Sequence, residues 1–385
     1  MTSICVFTGT RADWWLLRPL CRLLRDHPAF DLKILASGSH LSKMHGYTLH
    51  DISAEFSDVI PIDIGVSEVN DPAAHLARGV IEYSRVLKTL KPNFALVLGD
   101  RYEALGFAQA TLLERVALIH CHGGESTLGA MDDQIRHAIT KLAHVHFVST
   151  ETHRQRVLQM GENPDLVFNV GALGLDNIAT LLDINKAFDP FDGQPFCVAT
   201  FHPETLEADF GLNMVSVCLD SLKAHEIRTL ITGTNADTGG LEMRALIEST
   251  VDNHPHLFRF EESLGAERYV STMAISQFVI GNSSSGVIEA PTVGVPTINL
   301  GRRQLGRPSG PATIHIEDVH PNDLSAAFEQ CRDPEFKQLA QKKMSPYGEP
   351  GAATRVLSHL VNLPDDLSRA KPFWVVNPPV SESRQ

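Results

Sequence analysis

Short apolar runs alternate with helix-period segments along the whole chain. Residues 4–7, 32–35, 94–98, 116–119, 145–148 and 166–169 are short apolar runs, the pattern of strands buried on both faces. Between them, residues 16–24, 75–90, 102–113 and 133–143 carry apolar positions at helical spacing. The alternation then restarts, with strand-like runs at 196–201, 228–232, 257–260, 278–280 and 297–300. Strands alternating with helices predict an α/β protein with two Rossmann-like, doubly wound domains. A weak internal echo supports two similar halves: VFTGT closes the first strand at Thr10, and LITGT closes another at Thr234. The Pro-, Gly- and Asp-rich stretch AFDPFDGQP (187–195) predicts a linker. The expected domains are 1–186 and 187–365, followed by a tail at 366–385 draped on the surface. Ligands of such sheets bind outside the carboxyl ends of the strands. The active site is therefore expected in a cleft between the domains, lined by residues that directly follow strands.

Charge narrows the partners. Lys and Arg number 33 and Asp and Glu 46 in 385 residues, a formal net charge of −13. So acidic a chain lacks the footprint for nucleic acid or an anionic membrane. Its six cysteines include no CxxC pair and sit largely in apolar runs, as reduced core thiols of a cytoplasmic protein do. No apolar stretch approaches membrane-spanning length, and no secretory leader is expected.

Chemistry is sought where strands end. Thr8-Gly9-Thr10-Arg11 follows the first strand and offers Arg11 to a phosphate. Gly99-Asp100-Arg101 follows the strand at 94–98; Asp100 is placed for acid–base work, or equally to cap the next helix. His120-Cys121-His122-Gly123-Gly124-Glu125 follows the next strand, and its glycines permit a sharp bend carrying Glu125. His120 reads best as a structural histidine, and no third ligand at diagnostic spacing supports a metal site. Asp132 and Asp133 open an amphipathic helix, where they suit the helix dipole and Asp132 can pair with Arg136. Convergence favours chemistry: Asp100, Glu125, Asp132 and Asp133 could crowd one region and shift one another's proton affinity. In the second half, His202 ends a strand. Gly281-Asn282-Ser283-Ser284-Ser285-Gly286 then runs from strand to helix, an anion cradle suited to a diphosphate. Glu289, about a turn on, could accept from a ribose diol, and Arg302-Arg303 bring positive charge.

Taken together, TGTRAD, GDRYE, HGGE, DDQIRHAITKLAH, FHPET, GNSSSGVIEAP and INLGRRQ resemble the UDP-N-acetylglucosamine 2-epimerases, most closely the hydrolysing branch of sialic and legionaminic acid pathways. The motifs run from residue 8 to about 305. The resemblance implies a glycosyltransferase-B-like fold and a UDP-sugar substrate. It implies catalysis by Asp100, Glu125, Asp132 and Asp133. It implies substrate binding by Arg11, His40, Arg101, His202, Asn235, Ser283, Ser284, Ser285, Gly286 and Glu289. No cofactor or metal is expected, and the implied assembly is a homodimer or homotetramer. The implied reaction eliminates UDP and hydrates the resulting glycal. Rival readings are a non-hydrolysing epimerase and a UDP-sugar transferase of the same fold. Trp14-Trp15 departs from the small residue common in the family and is expected to crowd the first helix turn or wall the sugar pocket.

Overall fold

The computed structural model describes residues 1–42, 47–66, 71–126, 132–204, 207–234, 239–364, 367 and 371–375. The chain forms two compact units. The first comprises Met1–Glu125, Met131–Leu173 and Gly351–Gln385; the second comprises Ser126–Ala130 and Gly174–Pro350.

The first unit is built on strands β1 (Thr2–Thr8), β2 (Phe30–Ser37), β3 (Val59–Ile62), β4 (Phe94–Leu98), β5 (Ala117–Cys121), β6 (Val145–Val148) and β7 (Val167–Asn169). They form a parallel sheet in the order β3-β2-β1-β4-β5-β6-β7. The second unit holds β8 (Phe196–Thr200), β9 (Arg228–Thr232), β10 (Phe258–Glu261), β11 (Val279–Gly281), β12 (Thr297–Leu300) and β13 (Thr313–Ile316). Their order is β10-β9-β8-β11-β12-β13, again all parallel. Strand order reverses between β1 and β4 and between β8 and β11. At such switch points adjacent loops diverge and leave a crevice for a ligand. Each sheet thus dictates where its binding residues must be.

Two edge strands, β3 and β13, were not expected. Both are short, and β3 contains Pro61, which the lack of an N–H confines to a sheet edge. The linker expected at 187–195 is packed into a core. The stretch 187–195 belongs to the second unit, where buried Phe191 packs with Phe196, Val198, Leu230 and Leu264. The helix Ala352–Val361 belongs to the first. Its Ala352, Ala353, Val356 and Leu360 share a core with Leu17, Leu20 and Leu24 of the helix Arg11–Asp26. Arg355 donates from Nε to the Val170 carbonyl at 2.7 Å, and the His359 ring stacks on Phe168 at 4.0 Å. An apolar helix face must be covered, and this one is covered by the first sheet's helices.

The C-terminal segment is tied down by charge. Buried Glu162 accepts from His146 Nε2 (2.9 Å), Lys141 Nζ (2.6 Å) and Lys371 Nζ (2.6 Å). Lys371 also donates to the Thr140 and Lys141 carbonyls at the end of the helix Asp132–Leu142. Burial opposes the Glu162 charge, yet the His146 hydrogen bond and the two ammonium groups hold its pKa down to about 2. A carboxyl depressed in the folded state stabilises above its unfolded value, near 4.5, and loses that contribution as pH falls towards 2. Lys371→Met should therefore lower stability at pH 7 by about 1–2 kcal/mol, since two of three partners remain. Urea unfolding at pH 7 and pH 3 checks this. The deficit should shrink at pH 3; an equal deficit at both pH values, or none, contradicts it.

Candidate active site

The loop after β1 is organised by Asp13. Thr10 caps the helix Arg11–Asp26 in a reciprocal capping box with Asp13. The Asp13 carboxylate also accepts from Gly9 N, Thr10 N and Thr8 Oγ1, each at 2.9 Å. Thr8 Oγ1 in turn lies 2.9 Å from Nε2 of His40, whose Nδ1 is 2.7 Å from Thr48 Oγ1. Because Thr8 gives its only proton to Asp13, His40 donates to Thr8. Burial lowers the His40 pKa and keeps the ring neutral. His40 is wholly buried, so in this structure it braces the loop instead of facing solvent. Arg11 opens the helix and is exposed. Asp13 went unnoticed as a site residue although Thr-x-x-Asp before an apolar stripe signals it. Trp14 packs in the core, edge-on to Phe56 at 5.4 Å, while Trp15 is half-buried.

At the ends of β4 and β5 the carboxylates gather around one cation. Arg136, only 3% exposed, is bonded through Nη2 to Asp100 Oδ2 and lies 3.4 Å through Nη1 from Asp133 Oδ1. The expected crowding of like charges is thus modified: a buried guanidinium, which itself needs carboxylate partners, lies against both. Asp132 is the first residue of the same helix and is half-buried. His120 supports the arrangement from below. Its Nε2 donates to the Gly99 carbonyl at 2.8 Å, and its Nδ1 is 3.1 Å from Thr140 Oγ1. Full burial pushes the His120 pKa down to about 3, so it is a neutral strut holding the peptide before Asp100. Arg101 turns back onto Glu103, with both contacts at 3.1 Å.

Glu125 follows β5 on the glycine turn. Gly124 has φ +76°, and a side chain there would bring a Cβ within 2.4 Å of the His153 carbonyl, so only glycine fits. Buried Glu125 accepts through Oε1 from His122 Nδ1 and Ser149 Oγ, both at 2.9 Å. Leu173 N donates to His122 Nε2 at 3.3 Å, which places the ring proton on Nδ1, towards Glu125. His122 holds a left-handed backbone (φ +63°) to do so, a conformation uncommon outside glycine.

The second unit presents its polar loops at the β8/β11 switch point. Thr200 and Gly281 are register partners, so His202 and Ser283 emerge from neighbouring strand ends. Gly281 has φ +132°, and a Cβ would meet the Thr200 carbonyl at 2.0 Å. Fully buried Asn282 clamps the neighbouring strand: its Oδ1 accepts from His202 N at 2.7 Å, and its Nδ2 donates to the His202 carbonyl at 2.8 Å. Ser283 caps the helix Ser284–Val293 by accepting from Ser285 N. Ser285 Oγ bonds Ser283 Oγ at 3.1 Å and Tyr269 OH at 2.8 Å. The N-terminal turn of this helix, with Ser284 and Gly286, carries the partial positive charge that favours an anion. Burial, and after it the charge of Arg303, push the His202 pKa down to about 3. Glu204 Oε1 accepts from the Arg302 and Arg303 amides at 3.1 and 3.2 Å and fixes the loop that carries both arginines. Glu289 is held in a desolvated position. Among the described residues its Oε2 has no hydrogen-bond partner, and burial lifts its pKa to about 7. Asn235 lies outside the described residues. Neither Asn282 nor Glu204 was singled out from the sequence; Asn282 lay in the open, between Gly281 and the serines. Among the described residues no group of three His, Cys, Asp or Glu side chains is arranged to hold a metal ion.

Comparison with known proteins places this geometry. The family profile for UDP-N-acetylglucosamine 2-epimerase matches residues 22–361. The chain belongs to the UDP-N-acetylglucosamine 2-epimerase family. It is 37% identical over 344 residues to a GDP/UDP-N,N'-diacetylbacillosamine 2-epimerase (hydrolyzing) of Campylobacter jejuni, covering 87% of this chain and 89% of that one. It is 32% identical over 345 residues to a UDP-N,N'-diacetylbacillosamine 2-epimerase (hydrolyzing) of Legionella pneumophila, covering 87% and 90%. The fold matches that of the Neisseria meningitidis UDP-GlcNAc 2-epimerase bound to UDP-GlcNAc, with TM-score 0.78 and 19% identity, over 94% of this chain and all of that one. The glycosyltransferase-B-like pair of doubly wound sheets is therefore the architecture of this epimerase family.

Proposed function

We propose that this epimerase-family chain is a hydrolysing 2-epimerase that converts a UDP-linked 2-acetamido sugar, UDP-N,N'-diacetylbacillosamine foremost, to UDP and the free 2-epimer. The observation that carries this reading is that Asp100 and Glu125 follow the paired strands β4 and β5, with Asp133 of the helix Asp132–Leu142 sharing Arg136 with Asp100. Proton exchange at a sugar carbon needs positioned carboxyl groups; simple transfer to an acceptor does not. The names of the two relatives described above favour the diacetamido sugar over UDP-N-acetylglucosamine.

In the proposed reaction a carboxylate among Asp100, Glu125, Asp132 and Asp133 removes the C2 proton. The C1–O bond to the diphosphate breaks, and a C1=C2 double bond forms. Water then adds its hydroxyl to C1, while a second carboxyl group delivers a proton to the opposite face of C2. Arg11, His202 and the Ser283–Ser285 hydroxyls with the Gly286 turn hold the departing diphosphate, whose charge grows as the bond breaks. Arg101, His40 and Asn235 complete the binding set, His40 through its hold on the Thr8 loop. No cofactor takes part. We expect a cytoplasmic enzyme, consistent with its buried free cysteines. We also expect a homodimer or homotetramer, consistent with the exposed Ile81, Leu112 and Leu113.

Incubation with UDP-N,N'-diacetylbacillosamine, its GDP counterpart and UDP-N-acetylglucosamine tests the assignment. Free 2-epimer and UDP should appear, with the highest kcat/KM for the UDP-diacetamido sugar. A nucleotide-linked epimer instead means a non-hydrolysing enzyme. A product formed only when an acceptor sugar is added means a transferase.

Glu289 supplies a separate check on UDP binding. With its pKa near 7, the carboxyl is mostly protonated at pH 6 and mostly ionised at pH 8. Ribose hydroxyls donate best to the ionised form, so its contribution to affinity should rise with pH. UDP affinity by calorimetry should increase between pH 6 and pH 8 by about tenfold more in wild type than in Glu289→Gln, which retains only the phosphate's own titration. Parallel pH dependences would remove Glu289 from the site.

A further inference from the structure

Glu125 sits on a turn that two glycines leave inherently loose, yet its carboxylate is held by two partners. One hold, the His122 ring, belongs to the same turn. The other comes from a separate and more rigid part of the first unit. Ser149 directly follows β6, which pairs with β5, the strand that leads to Glu125. Thr150 caps the helix Glu151–Gln159 by accepting from His153 N at 3.1 Å, and so fixes His153 in the helix's first turn. Ser149 Oγ lies 2.9 Å from Glu125 Oε1 and 2.9 Å from His153 Nδ1. Ser149 and His153 are each 1% exposed.

We propose that Ser149 is a positioning residue, held by His153, that orients the Glu125 carboxylate for proton exchange with the sugar. The inference rests on the catalytic part proposed for Glu125 above. Proton counting supports it. A carboxylate only accepts, so the single Ser149 proton points to Glu125. His153 must then donate through Nδ1 to the serine oxygen. The order of donors is His153 to Ser149 to Glu125, the reverse of a nucleophilic Ser–His pair, in which the histidine accepts from the serine. Burial keeps His153 neutral, with its pKa lowered to about 4. The charged or titratable groups acting on the ring are Glu125, Arg156, His122 and Arg136. A hydroxyl anchored at a strand end and a helix cap therefore transmits rigidity to a carboxylate on a glycine turn.

The test compares Ser149→Ala, Ser149→Thr, His153→Asn and Glu125→Gln on UDP-N,N'-diacetylbacillosamine and UDP-N-acetylglucosamine. Ser149→Ala should lower kcat about tenfold with KM and UDP affinity nearly unchanged, because the lost bond acts on the proton-transfer step. Its acidic limb in the pH–rate profile should move to higher pH, since a carboxylate that loses a donor holds its proton more tightly. Ser149→Thr keeps the hydroxyl, and His153→Asn keeps an N–H at the Nδ1 position; both should recover most of the rate. Adding Ser149→Ala to Glu125→Gln should cost nothing further. A fall in thermal stability with kcat and the acidic limb unchanged would overturn the inference and leave Ser149 a packing residue. Wild-type turnover in Glu125→Gln would instead defeat the role given to Glu125 itself.

Discussion

Asp100→Asn should abolish most turnover while leaving UDP binding intact. Asparagine preserves the shape at the end of β4 and can still bond Arg136 through its carbonyl oxygen. It lacks only the capacity to take up and return a proton. Removing a positioned acid–base group typically slows an enzyme by ~10²–10⁴-fold. The position earns that expectation structurally: His120 fixes the Gly99 carbonyl, and Arg136 fixes the Asp100 carboxylate. Initial rates and calorimetric UDP affinity, measured on the same preparation, separate chemistry from binding. Near-wild-type activity would reduce Asp100 to a structural partner of Arg136.

Arg136→Met should be nearly as damaging by another route. Arg136 is the buried cation bonded to Asp100 and Asp133, and methionine of similar length restores packing but not charge. The two carboxylates then lose their common partner, and repulsion favours protonating one of them. Each keeps about a quarter of its surface exposed and can recover hydration, so the stability loss should be ~2 kcal/mol, below the 3–5 kcal/mol of a fully buried broken pair. Turnover should fall by about 10²-fold, because Asp100 loses both its orientation and its preferred charge state. Arg136→Lys keeps the charge but not the forked geometry and should fall between the two. Urea titration and rate measurements together decide the matter. A variant as unstable as expected but fully active would show that the ion pair serves folding alone.

Much of the fold was legible because parallel strands buried on both faces leave continuous apolar runs. Eleven of the strand positions follow from runs such as VLGD and HFVS with little ambiguity, whereas the edge strands β3 and β13 are short and partly exposed and leave no such trace. The return of the helix Ala352–Val361 to the first unit was invisible, since an apolar helix face does not say which sheet will cover it. Among the candidate site residues, strand ends pointed to Asp100, Glu125, His202 and Ser283 directly. The supporting contacts were a different matter. Ser149, Asn282 and Glu204 act through hydrogen bonds to residues distant in the chain, and spacing in one sequence carries no record of those; Asp13, whose bonds are local, did leave the Thr-x-x-Asp spacing. His40 shows the converse: a motif neighbour that the fold takes inside.

The central claim is an elimination at C2 followed by hydration, and isotopes follow both steps. Turnover in D2O should give free 2-epimer carrying one deuterium at C2, because the original proton is lost before water adds. In H2(18)O the label should enter the sugar at C1 and not the UDP, because the C1–O bond is the one that breaks. Mass spectrometry and proton NMR of the released sugar read both labels at once. A free sugar of unchanged C2 configuration that keeps its C2 protium, whatever the oxygen label, would mean simple hydrolysis and contradict the assignment of Asp100 and Glu125 as proton-transfer groups.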